Sequence, residues 1–244
     1  MSDQPLTGRS ALVTGGARRV GRAIALALAG AGADVAITFR SSRDEAAQTV
    51  GEIKSLGRRA VAIECDVRSE ASVQNSVGAT AANLGRLDLV VNNAAVFQSA
   101  PLELLTVEQW DAVFETNARG PFLVAREALP HLRAVEGRIV NIGSLGGIRA
   151  WATHAHYCAS KAALHMLTQT MAKAFAPEVS VNCVAPGWIE LDGSDARQAV
   201  HLALKTPMQR NGSVDDIAQA VLFFAAGPHF ITGQIMTVDG GLGL

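Results

Sequence analysis

Seven short apolar runs alternate with helical stretches along this chain of 244 residues, and that alternation restricts the fold more than any other feature. The runs cover residues 10–14, 34–39, 60–64, 87–91, 139–143, 179–184 and 234–238. Each is too short for a stable helix and most are rich in Val, Ile or Ala, the signature of strands buried on both faces. Helical patterns lie between them at 19–29, 44–56, 69–84 and 213–226, with another through Tyr157 and Lys161. A further long helix opens at Thr106, where Gln109 completes a capping box, and runs towards Leu132. Strands alternating with helices predict a parallel sheet covered on both faces. With no linker, repeat or low-complexity segment, the expectation is one doubly wound α/β domain over 1–244. Ligands of such sheets sit outside the carboxyl ends of the strands, so the residues just past each run are where chemistry is to be sought.

Composition removes several function classes. Hydrophobic residues make up 49% and charged residues 18%, enough to bury a sizeable core. The 21 basic and 22 acidic residues leave a net charge of −1, and aromatics are 5%, so neither a polyanion field nor a stacking platform points to nucleic acid. No apolar run approaches the ~18 residues of a membrane span, and residues 1–9 lack the apolar core of a signal peptide. A soluble, cytoplasmic protein with no membrane partner is expected. Cys65, Cys158 and Cys183 form an odd set without CxxC spacing and read as reduced thiols. His154 and His156 have no carboxylate partner nearby in sequence, so no metal site is assigned.

The strongest chemical signal lies between Ile139 and Lys161. The strand there stops at Ser144 in a turn containing Gly143, Gly146 and Gly147, and the next helix carries Tyr157 and Lys161 on one face, four residues apart. A phenol has a pKa near 10. An ammonium beside it favours the phenolate, which is the tuning that general acid–base catalysis requires. Tyr157 is the only tyrosine in the chain, and the Ser144 hydroxyl at the strand end is placed to hold a substrate oxygen.

The first strand-to-helix junction, Thr14-Gly15-Gly16-Ala17-Arg18-Arg19-Val20-Gly21, suits a pyrophosphate. Glycines admit close backbone approach, and the helix start presents free N–H groups and a positive dipole end. At the end of the second strand stand Phe39, Arg40 and Ser41, with no acid to meet a bare ribose 2′-hydroxyl. Arg40, with Arg18 as a second cation, predicts a 2′-phosphate and so NADP(H) in preference to NAD(H). Asp66, just past the third strand, is placed to meet an adenine.

Taken together, Thr14-Gly15…Gly21, Cys65-Asp66-Val67, Asn92-Asn93-Ala94-Ala95, Asn117, Ser144, Tyr157-x-x-x-Lys161 and Pro186-Gly187 resemble the short-chain dehydrogenases/reductases over nearly the whole chain. The resemblance implies a seven-stranded Rossmann-type sheet and a catalytic set of Asn117, Ser144, Tyr157 and Lys161. It implies cofactor contacts from Gly15, Arg18, Arg19, Val20 and Gly21, from Arg40 and Ser41, and from Asp66 and Val67. Asn93, Ala94, Ala95, Tyr157, Lys161, Pro186, Gly187 and Ile189 complete that set. It also implies a homotetramer, or a homodimer, and hydride transfer between nicotinamide and a carbonyl or imine carbon. Pro121 adds a physical detail: lacking an N–H, it cannot bond the carbonyl of Asn117 four residues earlier, which frees that oxygen for a water.

Two positions depart from the family pattern. Arg19 replaces a glycine and, with Phe97, looks like the pteridine-reductase branch, yet that branch generally carries an aspartate where this chain has Ser144. Leu191 replaces a threonine that often contacts the carboxamide. Residues 188–206 read as a substrate lid, and Phe97, Trp151 and Trp188 as substrate-facing walls. Pteridine reductase, 3-oxoacyl-[acyl-carrier-protein] reductase and polyol or sugar dehydrogenase remain open as specific activities. A non-catalytic NADP sensor is disfavoured by the intact Asn–Ser–Tyr–Lys set.

Overall fold

Every one of the seven apolar runs becomes a strand in the computed structural model, which describes residues 4–244. The first three of residues 1–9 therefore lie outside the described residues. The chain order is β1 (Ser10–Val13), α1 (Arg19–Gly30), β2 (Asp34–Phe39), α2 (Arg43–Ser55), β3 (Ala60–Glu64), α3 (Glu70–Leu84) and β4 (Leu89–Asn92). There follow α4 (Val107–Phe114), α5 (Gly120–Arg133), β5 (Arg138–Ile142), α6 (Ala155–Phe175), β6 (Ser180–Pro186), α7 (Ala196–Lys205), α8 (Val214–Ala226) and β7 (Ile235–Val238). The strands pair in parallel in the order β3-β2-β1-β4-β5-β6-β7. The order reverses between β1 and β4, and a cleft in such a sheet opens at that switch point.

Successive side chains of a strand face opposite sides, and both sides here are apolar. Val13, Val91, Val140 and Val184 pack with Ile24, Leu28, Ile217 and Val221 of α1 and α8. Leu12, Val90, Ile139 and Val181 of the same strands pack on the other face with Val77, Val124 and Met171 of α3, α5 and α6. Fully burying one such side chain stabilises by about 1.5–3 kcal/mol. This two-sided burial explains why the strands read as continuous apolar runs.

Two differences from the sequence reading affect the site. The helix expected to run towards Leu132 with a disturbed ladder at Pro121 is interrupted by a π turn, Glu115–Arg119, in which the Gly120 N–H reaches back to the Glu115 carbonyl. Pro121 sits in the first turn of α5, where its missing N–H disturbs the i→i−4 ladder. The capping box of Thr106 and Gln109 does form and starts α4. Second, residues 188–206 contain a helix, α7, whose start is capped by Asp195 accepting from the Gln198 N–H at 2.9 Å. The helix is short and mostly exposed, with Ala199 its one buried residue.

Side-chain hydrogen bonds tie the strand ends together. The Thr14 hydroxyl accepts from the N–H groups of Asn93 and Ala94 at 3.0 Å each, and Asn93 Nδ2 donates to the Thr14 and Gly15 carbonyls at 2.9 and 3.1 Å. Below them, Asn92 Nδ2 donates to Asn141 Oδ1 at 2.9 Å, and Asn141 Nδ2 donates to Thr168 Oγ1 at 2.8 Å. This buried chain joins β4 and β5 to α6. Asn141→Ala should lower stability by about 1–3 kcal/mol, because the Asn92 amide is left buried without its acceptor. A thermal-unfolding midpoint equal to that of the unaltered protein would refute this.

Candidate active site

A cleft of about 1080 Å³ runs along the carboxyl ends of the strands. One end is built from the turn between β1 and α1. Gly21 is required there on steric grounds: a Cβ at that position would lie 2.2 Å from the Gly15 carbonyl oxygen and 2.5 Å from Asn93 Nδ2. The turn therefore closes on the β4 end and leaves its backbone facing the cleft. Arg19 adopts a positive φ of 52°, a conformation that favours glycine. The backbone thus takes a conformation suited to glycine while carrying a guanidinium. Arg18, Arg19, Arg40 and Ser41 line this end. None of the three arginines forms an ion pair among the described residues. Uncompensated guanidinium groups around a backbone cradle fit phosphate.

Asp66 and Val67 line the same end. The Asp66 carboxylate is gripped by Arg68, whose Nη2 lies 2.6 Å from Oδ2 and whose Nε lies 3.0 Å from Oδ1. Those bonds hold its pKa below the ordinary carboxylate value, with a smaller contribution from Arg40. Arg68 carries no motif, and its part in orienting Asp66 was not legible in the sequence. Asn93, Ala94, Ala95, Pro186, Gly187 and Ile189 continue the lining towards the middle of the cleft, and Leu191 lies in the same wall.

At the far end stand Ser144, Tyr157 and Lys161. Ser144 is at the tip of β5, its Oγ accepting from the Gly146 N–H at 3.0 Å. Burial pushes the Tyr157 phenol above its usual pKa, and the neighbouring Ser144 hydroxyl pulls the other way. The sequence reading had Lys161 lowering the phenol. Instead the ammonium donates to the Ile142 carbonyl at 2.7 Å and lies 5.8 Å from the Tyr157 ring centre. Its own pKa is lowered to about 8 by burial. The two side chains share a helix face as expected, but burial dominates the phenol, which is a neutral acid at neutral pH.

Asn117 is fully buried and does not line the cleft. Its Oδ1 accepts from the Val96 N–H at 2.8 Å, and its Nδ2 donates to the Val96 carbonyl at 2.9 Å and to Ser160 Oγ at 3.1 Å. It therefore straps the π turn both to the segment after β4 and to α6. Phe97, Trp151 and Trp188 all line the cleft, and α7 adds Gln198 and Leu202, which the sequence reading did not single out.

His165 is a further residue passed over. It follows Lys161 by four positions, so helical spacing alone puts it on the same face. Its Nε2 accepts from the Ser144 N–H at 3.4 Å. A Cβ on Gly143 would come within 2.3 Å of Nε2 and 2.6 Å of Cys183 Sγ, so the glycine makes room for both. Burial, and then the Lys161 charge, lower the His165 pKa to about 4. Burial likewise pushes the Cys183 thiol up to about 12. Beneath the site thus lies a pocket of neutral His and Cys around one lysine.

A Rossmann-type sheet, a glycine turn facing a cleft, unpaired arginines at one end and a Ser–Tyr–Lys group at the other define a dinucleotide-binding oxidoreductase. Known proteins agree. Residues 15–243 match the family described as enoyl-(acyl carrier protein) reductase. The 3-oxoacyl-[acyl-carrier-protein] reductase of Synechocystis is 36% identical over 241 residues, 97% of this chain and 98% of that protein. A short-chain dehydrogenase from Burkholderia cenocepacia, solved in complex with NADP, is 39% identical, with a TM-score of 0.93 over 98% of this chain and 100% of the other. A gluconate 5-dehydrogenase of the same organism, in complex with NADP and tartrate, is 35% identical, with a TM-score of 0.91 over 98% and 97%. The chain belongs to the short-chain dehydrogenase/reductase family and is an NAD(P)-dependent oxidoreductase.

The folded protein keeps His165 neutral down to about 4, while in the unfolded chain the ring takes a proton near 6.5. Between those values the unfolded state binds more protons, so stability falls as pH drops through that window. The loss is on the order of 3 kcal/mol. His154 and His156 have lowered values as well, so His165→Gln should reduce the acid loss without abolishing it. An unchanged pH dependence of the unfolding midpoint between about pH 6.5 and 4 would refute this.

Proposed function

We propose that the protein is an NADP(H)-dependent reductase of carbonyl or C=N compounds, with Asn117, Ser144, Tyr157 and Lys161 as its catalytic set. The observation that carries this reading is the half-buried Tyr157 phenol beside Ser144 at the end of a cleft whose other end holds three unpaired arginines. Gly15, Arg18, Arg19, Val20 and Gly21 would hold the pyrophosphate. Arg40 and Ser41 would hold the 2′-phosphate, and Asp66 and Val67 the adenine. Pro186, Gly187 and Ile189 would flank the nicotinamide, which when bound supplies the hydride. The NADP complexes of the two Burkholderia proteins support this choice of cofactor.

Ser144 Oγ, fixed by the Gly146 N–H, orients the substrate oxygen. Tyr157 Oη donates the proton that this oxygen gains. Lys161 would face the nicotinamide ribose and stabilise the phenolate left behind. The Asn117 carbonyl, which Pro121 cannot cap, would hold a water for reprotonation. Residues 188–206 form the lid over the substrate. Assembly into a homotetramer or homodimer is supported by exposed apolar side chains on α4 to α6, among them Val107, Trp110, Phe122 and Met166.

Tyr157→Phe should lower turnover by about 10²–10⁴-fold while sparing NADPH binding, as loss of a general acid does. Retention of more than about a tenth of the activity would remove Tyr157 from the mechanism. Titration by fluorescence should show tighter binding of NADPH than of NADH. Arg40→Asp should weaken NADPH by more than about 1 kcal/mol, since a charge-assisted contact is exchanged for repulsion. Equal affinities in the unaltered protein would overturn the assignments of Arg18 and Arg40.

A further inference from the structure

Four rings meet at the Tyr157 end of the cleft. Phe97 lies 4.8 Å from His154 with an interplanar angle of 23°, and 4.8 Å from Tyr157 at 89°. Trp151 lies 6.1 Å from Tyr157 at 13° and 5.7 Å from His154 at 86°. Each ring therefore touches two others in a closed circuit, and all four line the cleft. His154 covers one face of Phe97, yet the phenylalanine remains 56% exposed. An open apolar face inside a cleft marks a surface that a ligand covers.

The charges around this wall are few. Burial lowers the His154 pKa and raises that of Tyr157, so both rings are neutral near pH 7. The Lys161 ammonium is bonded to the Ile142 carbonyl, and Asp66, the one carboxylate lining the cleft among the described residues, is held by Arg68 at the nucleotide end. A charged substituent brought to the four rings would lose water and find no charged side chain among them, the unpaired arginines lying at the nucleotide end of the cleft. His154 Nδ1 lies 3.0 Å from Thr153 Oγ1, and Nε2 has no protein partner among the described residues, so one polar contact is available at the edge.

We propose that this wall selects an uncharged aryl carbonyl compound, its ring lying on the open face of Phe97 and its carbonyl oxygen at Tyr157 and Ser144. The proposal rests on the reductase reading above and names its substrate class. With the oxygen held at the phenol, a ring bonded directly to the carbonyl carbon falls beside Phe97, whose centre is only 4.8 Å from that of Tyr157. Aromatic pairs at such distances gain beyond plain area burial. A saturated ring is thicker and lacks that gain, and an aliphatic acyl thioester makes no ring contact at all.

The test compares NADPH oxidation with methyl benzoylformate, methyl cyclohexylglyoxylate, the benzoylformate anion and acetoacetyl-N-acetylcysteamine, in the unaltered protein and in Phe97→Leu. Methyl benzoylformate should give the highest kcat/KM and the anion a far lower one. Phe97→Leu should shrink the aryl-to-cyclohexyl preference by about threefold or more while leaving the KM for NADPH unchanged. Binding of methyl benzoylformate to the NADPH complex of Tyr157→Phe, with and without Phe97→Leu, gives a readout independent of turnover and should weaken similarly. Reduction led by the thioester, or an aryl preference indifferent to Phe97→Leu, overturns the aryl proposal and leaves the reductase reading intact. NADPH binding without reduction of any carbonyl overturns the reductase reading, and the binding measurement then decides the wall alone.

Discussion

The hydrogen bond from the Lys161 ammonium to the Ile142 carbonyl holds the site in one shape. It joins the helix that carries Tyr157 to the strand that ends at Ser144, at 2.7 Å and almost wholly out of solvent. Burying an ammonium is expensive, and here the cost shows as a pKa lowered to about 8. The carbonyl partner offsets part of it. The surrounding residues conform to the same constraint. His165 must remain neutral beside the charge, and in doing so it offers Nε2 to the Ser144 N–H. Gly143 must lack a side chain for His165 and Cys183 to fit. The serine is thus positioned by its backbone through His165, which packs beside the lysine, and by its hydroxyl through Gly146 in its own turn.

The fold was legible because a parallel sheet buried on both faces leaves little freedom of composition. Leu12 and Val13 serve opposite cores from adjacent positions, so apolar residues follow one another without the alternation of a half-buried strand. The catalytic group was legible for a different reason. Helical spacing puts Tyr157 and Lys161 on one face whatever else the fold does, and the glycine turn lies between a strand and a helix. Less legible was everything set by desolvation or by contacts between distant segments. Lys161 was expected to lower the phenol pKa, but burial raises it, and burial is not a property of spacing. Arg68 on Asp66, and Ser160 on Asn117, pair residues that no motif links. The helix interruption at Glu115–Arg119 was half legible. Pro121 announced a disturbed ladder but not its form as a π turn.

The reactive groups and the substrate walls come from different parts of the chain. Thr14, Asn93, Ser144 and Pro186 sit at strand ends, where pairing on both sides fixes the backbone to the sheet. Phe97, Trp151, Trp188 and Leu202 sit on the connecting segments and on α7, which the sheet does not constrain. Identity of 36% to a 3-oxoacyl-[acyl-carrier-protein] reductase and 35% to a gluconate 5-dehydrogenase, both over nearly the full chain, therefore says much about the first set and little about the second. The same sheet carries relatives named for an acyl thioester and for a sugar acid. Selectivity in this chain must come from its own connecting segments, and near Tyr157 the side chains they bring to the cleft, Phe97, Trp151, Trp188 and Leu202, are apolar and mostly aromatic. That contrast, more than overall likeness to either relative, is what favours a flat neutral substrate.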